Sequence, residues 1–307
     1  MLIDIISKAL GPIIVGGGVG LLAGYSGFIK REYSQAFADF VIKIALPIAL
    51  FIAAANSNPK TILDLDYALA IGSGLVLAFV GAYIAGVVVF KRDRPNASML
   101  GLSASFPDMA YCGPPILLAT VGGSGLIAMV IGNLIYTVII LPIALMLIGG
   151  NQNGQGAGTK LMSSLRQPLV ILPILGAILS VSGVKLPELV TSSLNELGGT
   201  AGGVALFFLG LYLSGIKPKF NGEVLFNVFV KNIVQGGIIL AVGLALGLQG
   251  DLLKSAFIIG ILPTATATPA LAVSMKTYEE NAASTVMIST ILSLLTMAIG
   301  IMIVEML

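Results

Sequence analysis

Histidine and tryptophan are absent from the 307 residues, and cysteine occurs once, as Cys112. Without histidine there can be no Ser-His-Asp triad, HExxH zinc site, His-ligated haem or imidazole proton relay. A single cysteine excludes an intrachain disulfide and a thiolate metal cluster. The Ser and Asp residues form no recognisable dyad, so the sequence predicts a protein that is not an enzyme and holds no cofactor or metal.

Charged residues are also scarce. Only 10% of the chain is Asp, Glu, Lys or Arg, whereas a soluble protein has about a quarter. Hydrophobic residues make up 57%, and the mean hydropathy is +1.03. This composition predicts an all-α polytopic membrane protein whose main partner is the lipid bilayer. The net charge of +2 and the lack of a soluble basic region argue against nucleic-acid binding.

Ten stretches are long and apolar enough to cross the membrane as helices, since about 30 Å of hydrocarbon needs roughly 20 apolar residues. They lie at residues 9–28, 36–56, 67–90, 98–119, 124–149, 166–183, 196–216, 224–248, 252–274 and 282–304. The first is rich in glycine and has no cleavage site, so we expect a span and not a signal peptide.

Lysine and arginine favour one set of connecting loops, by ten to four. The favoured set is expected in the cytoplasm, with both termini outside, and we predict the plasma membrane, a bacterial inner membrane, as the location. The ten are Lys30, Arg31, Lys91, Arg92, Arg94, Lys160, Arg166, Lys217, Lys219 and Lys276. The four are Lys8, Lys60, Lys185 and Lys254. Lys43 and Lys231 lie inside spans.

The two halves of the chain resemble each other at a fixed offset of 156 residues. The matches are Pro12 with Pro168, Gly20 with Gly176, Ser26-Gly27 with Ser182-Gly183, Ala49-Leu50-Phe51 with Ala205-Leu206-Phe207, and Pro107 with Pro263. Each unit has five spans, an odd number, so the second is inverted, as in many secondary transporters. We predict a first repeat at 1–150, a cytoplasmic linker at 151–165 and a second repeat at 166–307.

Spans four and nine each contain two prolines in mid-membrane, at equivalent places in the two repeats. Proline removes a backbone donor and clashes with the preceding turn, so two close together unwind a helix. The helix-breaking residues are Pro107, Pro114 and Pro115 in span four, and Pro263 and Pro269 in span nine. Unwound backbone is tolerated in a bilayer where it lines a polar cavity, and the new helix N-termini would then offer N–H groups to an anion.

Several motifs resemble the auxin efflux carrier family, which includes plant PIN carriers and bacterial malonate-type permeases. They are Gly24-Tyr25-Ser26-Gly27, Ala45-Leu46-Pro47-Ile48-Ala49-Leu50-Phe51, Asn56-Ser57-Asn58-Pro59, Leu292-Ser293-Leu294-Leu295-Thr296 and the two proline-bracketed breaks. The resemblance implies ten helices in two inverted repeats, with helices four and nine crossing at the substrate site. This chain differs in having Asp108 where the family commonly has Asn, and Gly113-Pro114-Pro115 where it has Gly-Leu-Pro.

Asp108 lies near mid-bilayer, where a bare carboxylate costs at least about 2.5 kcal/mol. We interpret it as the coupling residue, either a proton carrier or a Na⁺ ligand; the alternative is a structural salt bridge. Lys231 is either a snorkelling side chain or a counter-charge for a carboxylate substrate or for Asp108. Lys43 is expected to snorkel to the interface.

Polar residues of spans five and ten lie at mid-span with i, i+4 spacing, so they share a face and either surround a site or join helices. Cys112 is expected to be a packing residue. The candidate substrate-binding residues are Tyr111, Cys112, Gly113, Pro114, Asn133, Thr137, Lys231, Thr264, Thr266, Thr268, Ser289 and Ser293. Glycine runs in the chain are candidates for domain contacts or a homodimer interface.

The favoured function is a secondary transporter of a small organic anion, such as a malonate-like dicarboxylate or an auxin-like weak acid. With no nucleotide-binding motif present, its energy is expected to come from gradients or from a separate partner, and H⁺ and Na⁺ are the candidate coupling ions. The alternatives are a Na⁺/H⁺ exchanger of crossover architecture and a membrane receptor that kept the fold without flux.

Overall fold

The computed structural model describes residues 2–56, 58–148 and 168–306. Within these ranges the regular structure is helical, and the single β feature is an isolated bridge between Pro107 and Thr264. The predicted linker at 151–165, which contains Lys160, and the adjacent Arg166 lie outside the described residues. The prediction of an all-helical membrane protein is confirmed at this level.

The helices fall into two series, one on each side of the predicted linker. The first contains α1 (Leu2–Ser26), α2 (Arg31–Ala55), α3 (Pro59–Ile62), α4 (Leu65–Val88), α5 (Arg94–Ser105), α6 (Gly113–Thr120) and α7 (Gly123–Ile148). The second contains α8 (Pro168–Ser182), α9 (Glu188–Leu213), α10 (Gly222–Ala245), α11 (Gly250–Ile261), α12 (Ala267–Met275) and α13 (Glu279–Met306).

Six helices of the described chain are long and apolar enough to cross a membrane: α2, α4, α7, α9, α10 and α13. The apolar stretches of α1 and α8, Ile14–Ser26 and Val170–Ser182, are shorter. The remaining two predicted spans are each divided, into α5 and α6 and into α11 and α12. Pro107 and Pro263 lie in the two interruptions and account for the division, because proline cannot donate the hydrogen bond that would continue a helix.

Polar residues in the loops fix where several helices begin. The side chains of Asp64, Asp93 and Asn221 precede α4, α5 and α10, and each accepts the backbone N–H three residues on, at 2.9, 3.2 and 3.0 Å. These bonds satisfy donors that a helix start leaves without intrahelical partners. The caps therefore fix the residue at which each of these three helices begins.

Helix ends recur at the 156-residue offset found in the sequence. Residues 94–105 and 250–261 bound α5 and α11, and α7 and α13 start at 123 and 279. Ser26 and Ser182 end α1 and α8, followed by Gly27 at φ 71° and Gly183 at φ 72°. Because a positive φ strains residues with a Cβ, glycine is the natural terminator at both places.

Two close contacts between helices also recur at this offset. A Cβ on Gly20 of α1 would lie 2.1 Å from the carbonyl oxygen of Phe207 in α9, and one on Gly176 of α8 would lie 2.3 Å from that of Phe51 in α2. Gly20 and Gly176 differ by 156 in number, as do Phe51 and Phe207. Glycine in these helices thus serves contacts within the chain, and a homodimer stays a prediction.

The helices form two packing groups. One comprises α1, α2, α8 and α9; the other is built from α4, α5, α7, α10, α11 and α13. Three long helices carry a π-helical segment: Val41–Ala45 in α2, Tyr136–Ile140 in α7 and Val230–Val234 in α10. Such segments are frequent at functional sites because they redirect side chains. The interruptions of the divided helices face α2, at the boundary between the groups.

Candidate functional site

The two helix breaks meet in the interior of the protein. Residues 106–112 separate α5 from α6, and residues 262–266 separate α11 from α12. The N–H of Asp108 donates to the carbonyl of Pro263 at 2.8 Å, and the N–H of Ala265 donates to the carbonyl of Phe106 at 2.9 Å. The breaks thus lie at the predicted prolines and join the divided helices where they cross.

Proline has two different roles at the breaks. Pro107 and Pro263 lie in the extended segments, whereas Pro114 and Pro115 lie in the first turn of α6. Helix α12 begins two residues before Pro269, because a proline in the first turn forfeits no intrahelical hydrogen bond. The second unwound segment is therefore shorter than the prolines alone predict.

Asp108 is fully buried in the first break. Its Oδ1 accepts the N–H of Tyr111 at 3.1 Å, and its backbone carbonyl accepts the N–H of Gly113 at 3.0 Å. Its Oδ2 has no hydrogen-bond partner among the described residues. One oxygen thus organises the entry into α6, and the other is left for a ligand or a proton.

The expectation of free N–H groups at both half-helix starts is wrong for α6. Pro114 and Pro115 have no N–H, and the N–H of Gly113 is bonded to Asp108. The backbone carbonyl of Asp108 therefore takes up the N–H that an external anion would need at this helix end. The start of α12 differs, because the N–H groups of Thr266 and Ala267 have no partner within the described chain.

A cavity with about 490 Å³ of empty space lies between the two breaks and α2. Its walls combine both breaks with apolar residues of α2 and two residues of α7. The lining residues are Ile42, Leu46, Leu50, Phe106, Pro107, Asp108, Met109, Ala110, Tyr111, Met129, Asn133, Ala265, Thr266 and Ala267. A mainly apolar pocket with a few polar groups is typical of small-molecule sites.

Four of the predicted site residues with polar side chains line this cavity: Asp108, Tyr111, Asn133 and Thr266. Tyr111 also packs on Phe208 of α9, with ring centroids 4.8 Å apart. The carboxyl, phenol, amide and hydroxyl thus come from both breaks and from α7. This convergence makes the cavity the candidate site.

Other predicted residues support the breaks and do not line the cavity. Thr264 Oγ1 donates to the Ser103 carbonyl at 2.9 Å, and the Thr264 N–H donates to Ser289 Oγ at 2.9 Å. Ser293 Oγ donates to the Thr290 carbonyl of its own helix at 2.7 Å. The residues outside the lining are Cys112, Gly113, Pro114, Thr137, Lys231, Thr264, Thr268, Ser289 and Ser293.

The two lysines inside spans have opposite environments. Lys43 has a side chain 62% exposed and pairs with Asp39 one turn earlier, at 2.8 Å. Lys231 is fully buried, and its Nζ donates to the Gly260 carbonyl of α11 at 3.0 Å. The description of a snorkelling side chain therefore fits Lys43 and does not fit Lys231.

The sequence analysis assigned no role to two amides of α10 that the structure places beside the breaks. Gln235 Nε2 donates to the Ser105 carbonyl at 2.7 Å, and Asn232 exchanges hydrogen bonds with Ser289 at 2.6 and 3.0 Å. The sequence signal for these amides is the group of polar residues Lys231, Asn232 and Gln235 in an otherwise apolar span. The apolar wall from α2 carried no such signal, because Leu46 and Leu50 resemble ordinary lipid-facing residues.

Two more cavities follow α2 from the crossing towards its C-terminal end. The second shares Leu46 and Leu50 with the first. The third shares Ala49 and Gly198 with the second and reaches Asn56. No charged side chain lines the third, and its polar members are Asn56, Asn58, Thr61, Ser124 and Asn195. Together they form a row of cavities along α2, at the boundary of the two packing groups.

Comparison with known sequences adds to this geometry. The sequence profile of the membrane transport protein family matches residues 5–160 and 156–301. The chain belongs to this family. The resemblance to the auxin efflux carrier family is thereby confirmed.

Three relatives indicate the range of this auxin efflux carrier family. "Uncharacterized transporter YfdV" of Escherichia coli is 29% identical over 289 residues, 91% of each chain. "Putative malonate transporter" of Rhizobium meliloti is 21% identical over 266 residues, 84% of this chain and 82% of that one. "Auxin efflux carrier component 4" of Arabidopsis thaliana is 29% identical over 133 residues, 38% of this chain and 21% of the plant protein. The chain is an integral membrane transporter.

Proposed function

We propose that this family member is a secondary active carrier of a small organic anion, with the cavity between the two helix breaks as its transport site. The observation that carries the proposal is the meeting of both breaks at one cavity that contains the unpartnered Oδ2 of Asp108. Relatives named for malonate transport and auxin efflux support a carboxylate substrate. They also support a carrier and not an enzyme.

The cavity suits a small carboxylate with an apolar body. The N–H groups of Thr266 and Ala267 at the start of α12 are the donors best placed for a carboxylate, since the helix dipole favours an anion there. Leu46 and Leu50 of α2 provide the apolar wall. An auxin-like weak acid has this division into a carboxylate and an apolar body, whereas a malonate-like dicarboxylate would need a donor for each of its two carboxylates.

Asp108 is proposed as the coupling residue. Its charge opposes an anionic substrate in the same cavity, so substrate and carboxylate are most compatible when Asp108 is protonated or paired with a cation. This argument allows either H⁺ or Na⁺ as the coupling ion. The described residues contain no group of three His, Cys, Asp or Glu side chains that would bind a multivalent metal.

The proposed architecture is ten membrane segments in two inverted repeats, at 1–150 and 166–307, joined by a cytoplasmic linker at 151–165. The recurrence of helix ends and glycine contacts at the 156-residue offset supports it. The excess of Lys and Arg in alternate loops supports a location in the plasma membrane, the inner membrane of a bacterium, with both termini outside. In this orientation the cavities along α2 open towards the outside.

Alternating access would then arise from movement of one packing group against the other. The row of cavities along α2 would be the access route from one side of the membrane. Movement of the breaks relative to α2 would close this route and open another on the opposite side of the membrane. Such rigid-body motion of one bundle around a fixed site is common in carriers with inverted repeats. We propose this mechanism for the chain.

The test begins with a thermal-stability screen of carboxylates, with and without Na⁺, at several pH values. Cys112 is buried and is the single thiol, so a thiol-reactive fluorogenic dye reports unfolding directly. A ligand that binds the folded state raises the unfolding temperature. Proteoliposome counterflow of a carboxylate that stabilises the protein would support the carrier. Binding without flux would instead indicate a receptor, and Na⁺-driven proton movement without any carboxylate would indicate an exchanger.

A further inference from the structure

The half-helices that lead into the crossing, α5 and α11, both end against side chains of α10. Gln235 Nε2 donates to the carbonyl of Ser105, the last residue of α5, at 2.7 Å. Lys231 Nζ donates to the carbonyl of Gly260, the residue before the last of α11, at 3.0 Å. Both side chains are fully buried. One helix thus closes both carbonyl ends, with a neutral amide at one and an ammonium at the other.

Such carbonyl ends are natural cation sites. The last carbonyls of a helix have no intrahelical donors and form the negative end of its dipole. In carriers built from discontinuous helices, these ends coordinate the coupling cation. In this chain the side chain of Lys231 already bonds to the α11 end through Nζ, so a metal ion would have to displace it.

The surrounding charges fit a resident cation. A buried ammonium is costly unless negative charge or dipoles balance it. Asp108, also fully buried, interacts electrostatically with Lys231, although no carboxylate oxygen of the described chain lies within 4.0 Å of Nζ. The α11 end and Asp108 therefore share the balance. The π-helical segment Val230–Val234 places Lys231 and Asn232 among the buried residues of the crossing.

We propose that Lys231 determines the ion specificity of the carrier, because its ammonium occupies the cation position at the crossing and makes transport independent of Na⁺. The inference rests on the proposed carrier function and deepens it. Of the two coupling ions left open above, it removes Na⁺. It also separates Lys231 from the substrate-binding residues, since this side chain does not line the cavity.

Cation dependence of thermal stability tests the proposal without any substrate. Purified protein is unfolded in NaCl and in choline chloride at equal ionic strength, with Cys112 as the reporter. For the wild type we expect the same unfolding temperature in both salts. Lys231→Ala removes the ammonium and leaves space, so we expect a lower unfolding temperature that Na⁺ or ethylammonium raises by roughly 2–4 °C. Lys231→Met fills the space with an apolar chain and should respond to neither cation.

Lys43→Ala is the matched control, because this lysine is exposed on α2 and should give no cation response. A saturable stabilisation of the wild type by Na⁺ would overturn the proposal, and this measurement stands even where a Lys231 variant fails to fold. A folded Lys231→Ala that gains no cation response would also overturn it. Failure of all carboxylates to bind would refute the carrier proposal separately, since these measurements contain no carboxylate.

Discussion

The two helix breaks have similar backbones and different chemistry. Each follows a twelve-residue half-helix, and the two are joined by reciprocal contacts around Pro107 and Thr264. At the offset of the repeat, however, Asp108 corresponds to Thr264. The backbone carbonyl of Asp108 accepts the N–H at the start of α6, whereas the start of α12 keeps free N–H groups. The repeat thus determines the backbone that the two breaks share. The positions at which its copies differ provide the carboxylate, the free N–H groups and hence the proposed function.

The largest effect is expected for substitution of Asp108, whose carboxylate has no counterpart in the other break. Asp108→Asn keeps an oxygen that can accept the Tyr111 N–H but removes the charge. The coupling ion would then lose an interaction with a charged group worth about 1.5–3 kcal/mol. We therefore expect driven uptake of a transported carboxylate to fall roughly 10- to 100-fold. The measurement is initial uptake into proteoliposomes across a pH series.

The matched control for this variant is Thr264→Val, at the equivalent place in the other break. Its hydroxyl bonds to Ser103 and not to the cavity, so it should lose stability more than coupling. If Asp108→Asn retained the pH and Na⁺ dependence of the wild type, Asp108 could not be the coupling residue.

The second prediction tests the symmetric part of the comparison. Gly20→Ala and Gly176→Ala each force a Cβ against a backbone carbonyl, which cannot move away as a side chain can. Overpacking of this kind costs about 1–3 kcal/mol, and we expect similar falls in unfolding temperature for the two variants. Gly18→Ala, in the same helix as Gly20 but in open space, should be near neutral. Strongly unequal losses would show that the two contacts are not equivalent.

A smaller effect is expected at the cavity wall of the second break. Thr266→Val removes a hydroxyl that lines the cavity, and the loss of one neutral hydrogen bond of about 1 kcal/mol weakens carboxylate affinity roughly 5-fold. Thr268→Val, two residues on, removes a buried hydroxyl that has no partner in the described chain and does not line the cavity. Equal affinities for the two variants would place the ligand elsewhere.

The smallest effect concerns an ion pair away from the crossing. Arg92 bonds through Nε and a terminal nitrogen to Glu223 Oε1, at 2.8 and 2.7 Å, and this hydrogen bond raises the pKa of Arg92. Glu223→Gln should cost about 0.5–1 kcal/mol of stability, less in high salt, because Arg92 is half-exposed. Glu280→Gln, in the exposed pair with Lys219, is the control and should change stability by less. A loss of carboxylate binding in Glu223→Gln would contradict its purely structural role.

The sequence predicted the helix breaks because proline acts locally. Pro107 and Pro263 lose a donor wherever the rest of the chain goes, so both interruptions followed from the residues alone. The partners of Lys231 and Gln235 could not be predicted, since the carbonyls of Gly260 and Ser105 come from helices distant in sequence. For the same reason Thr264 was assigned to the substrate, although its hydroxyl is used by α5. Local rules located the site, and only tertiary packing revealed which polar groups remain free in it.

Substrate protection of the cavity tests the central claim most directly. In a Cys112→Ala background, Ala110→Cys places a thiol in the first break and Leu50→Cys places one on the α2 wall, both lining the cavity. A carboxylate that raises the unfolding temperature of the wild type should slow labelling of both thiols by a water-soluble reagent, at concentrations that match its binding. Unchanged labelling of both thiols under saturating ligand would contradict the assignment of this cavity as the transport site.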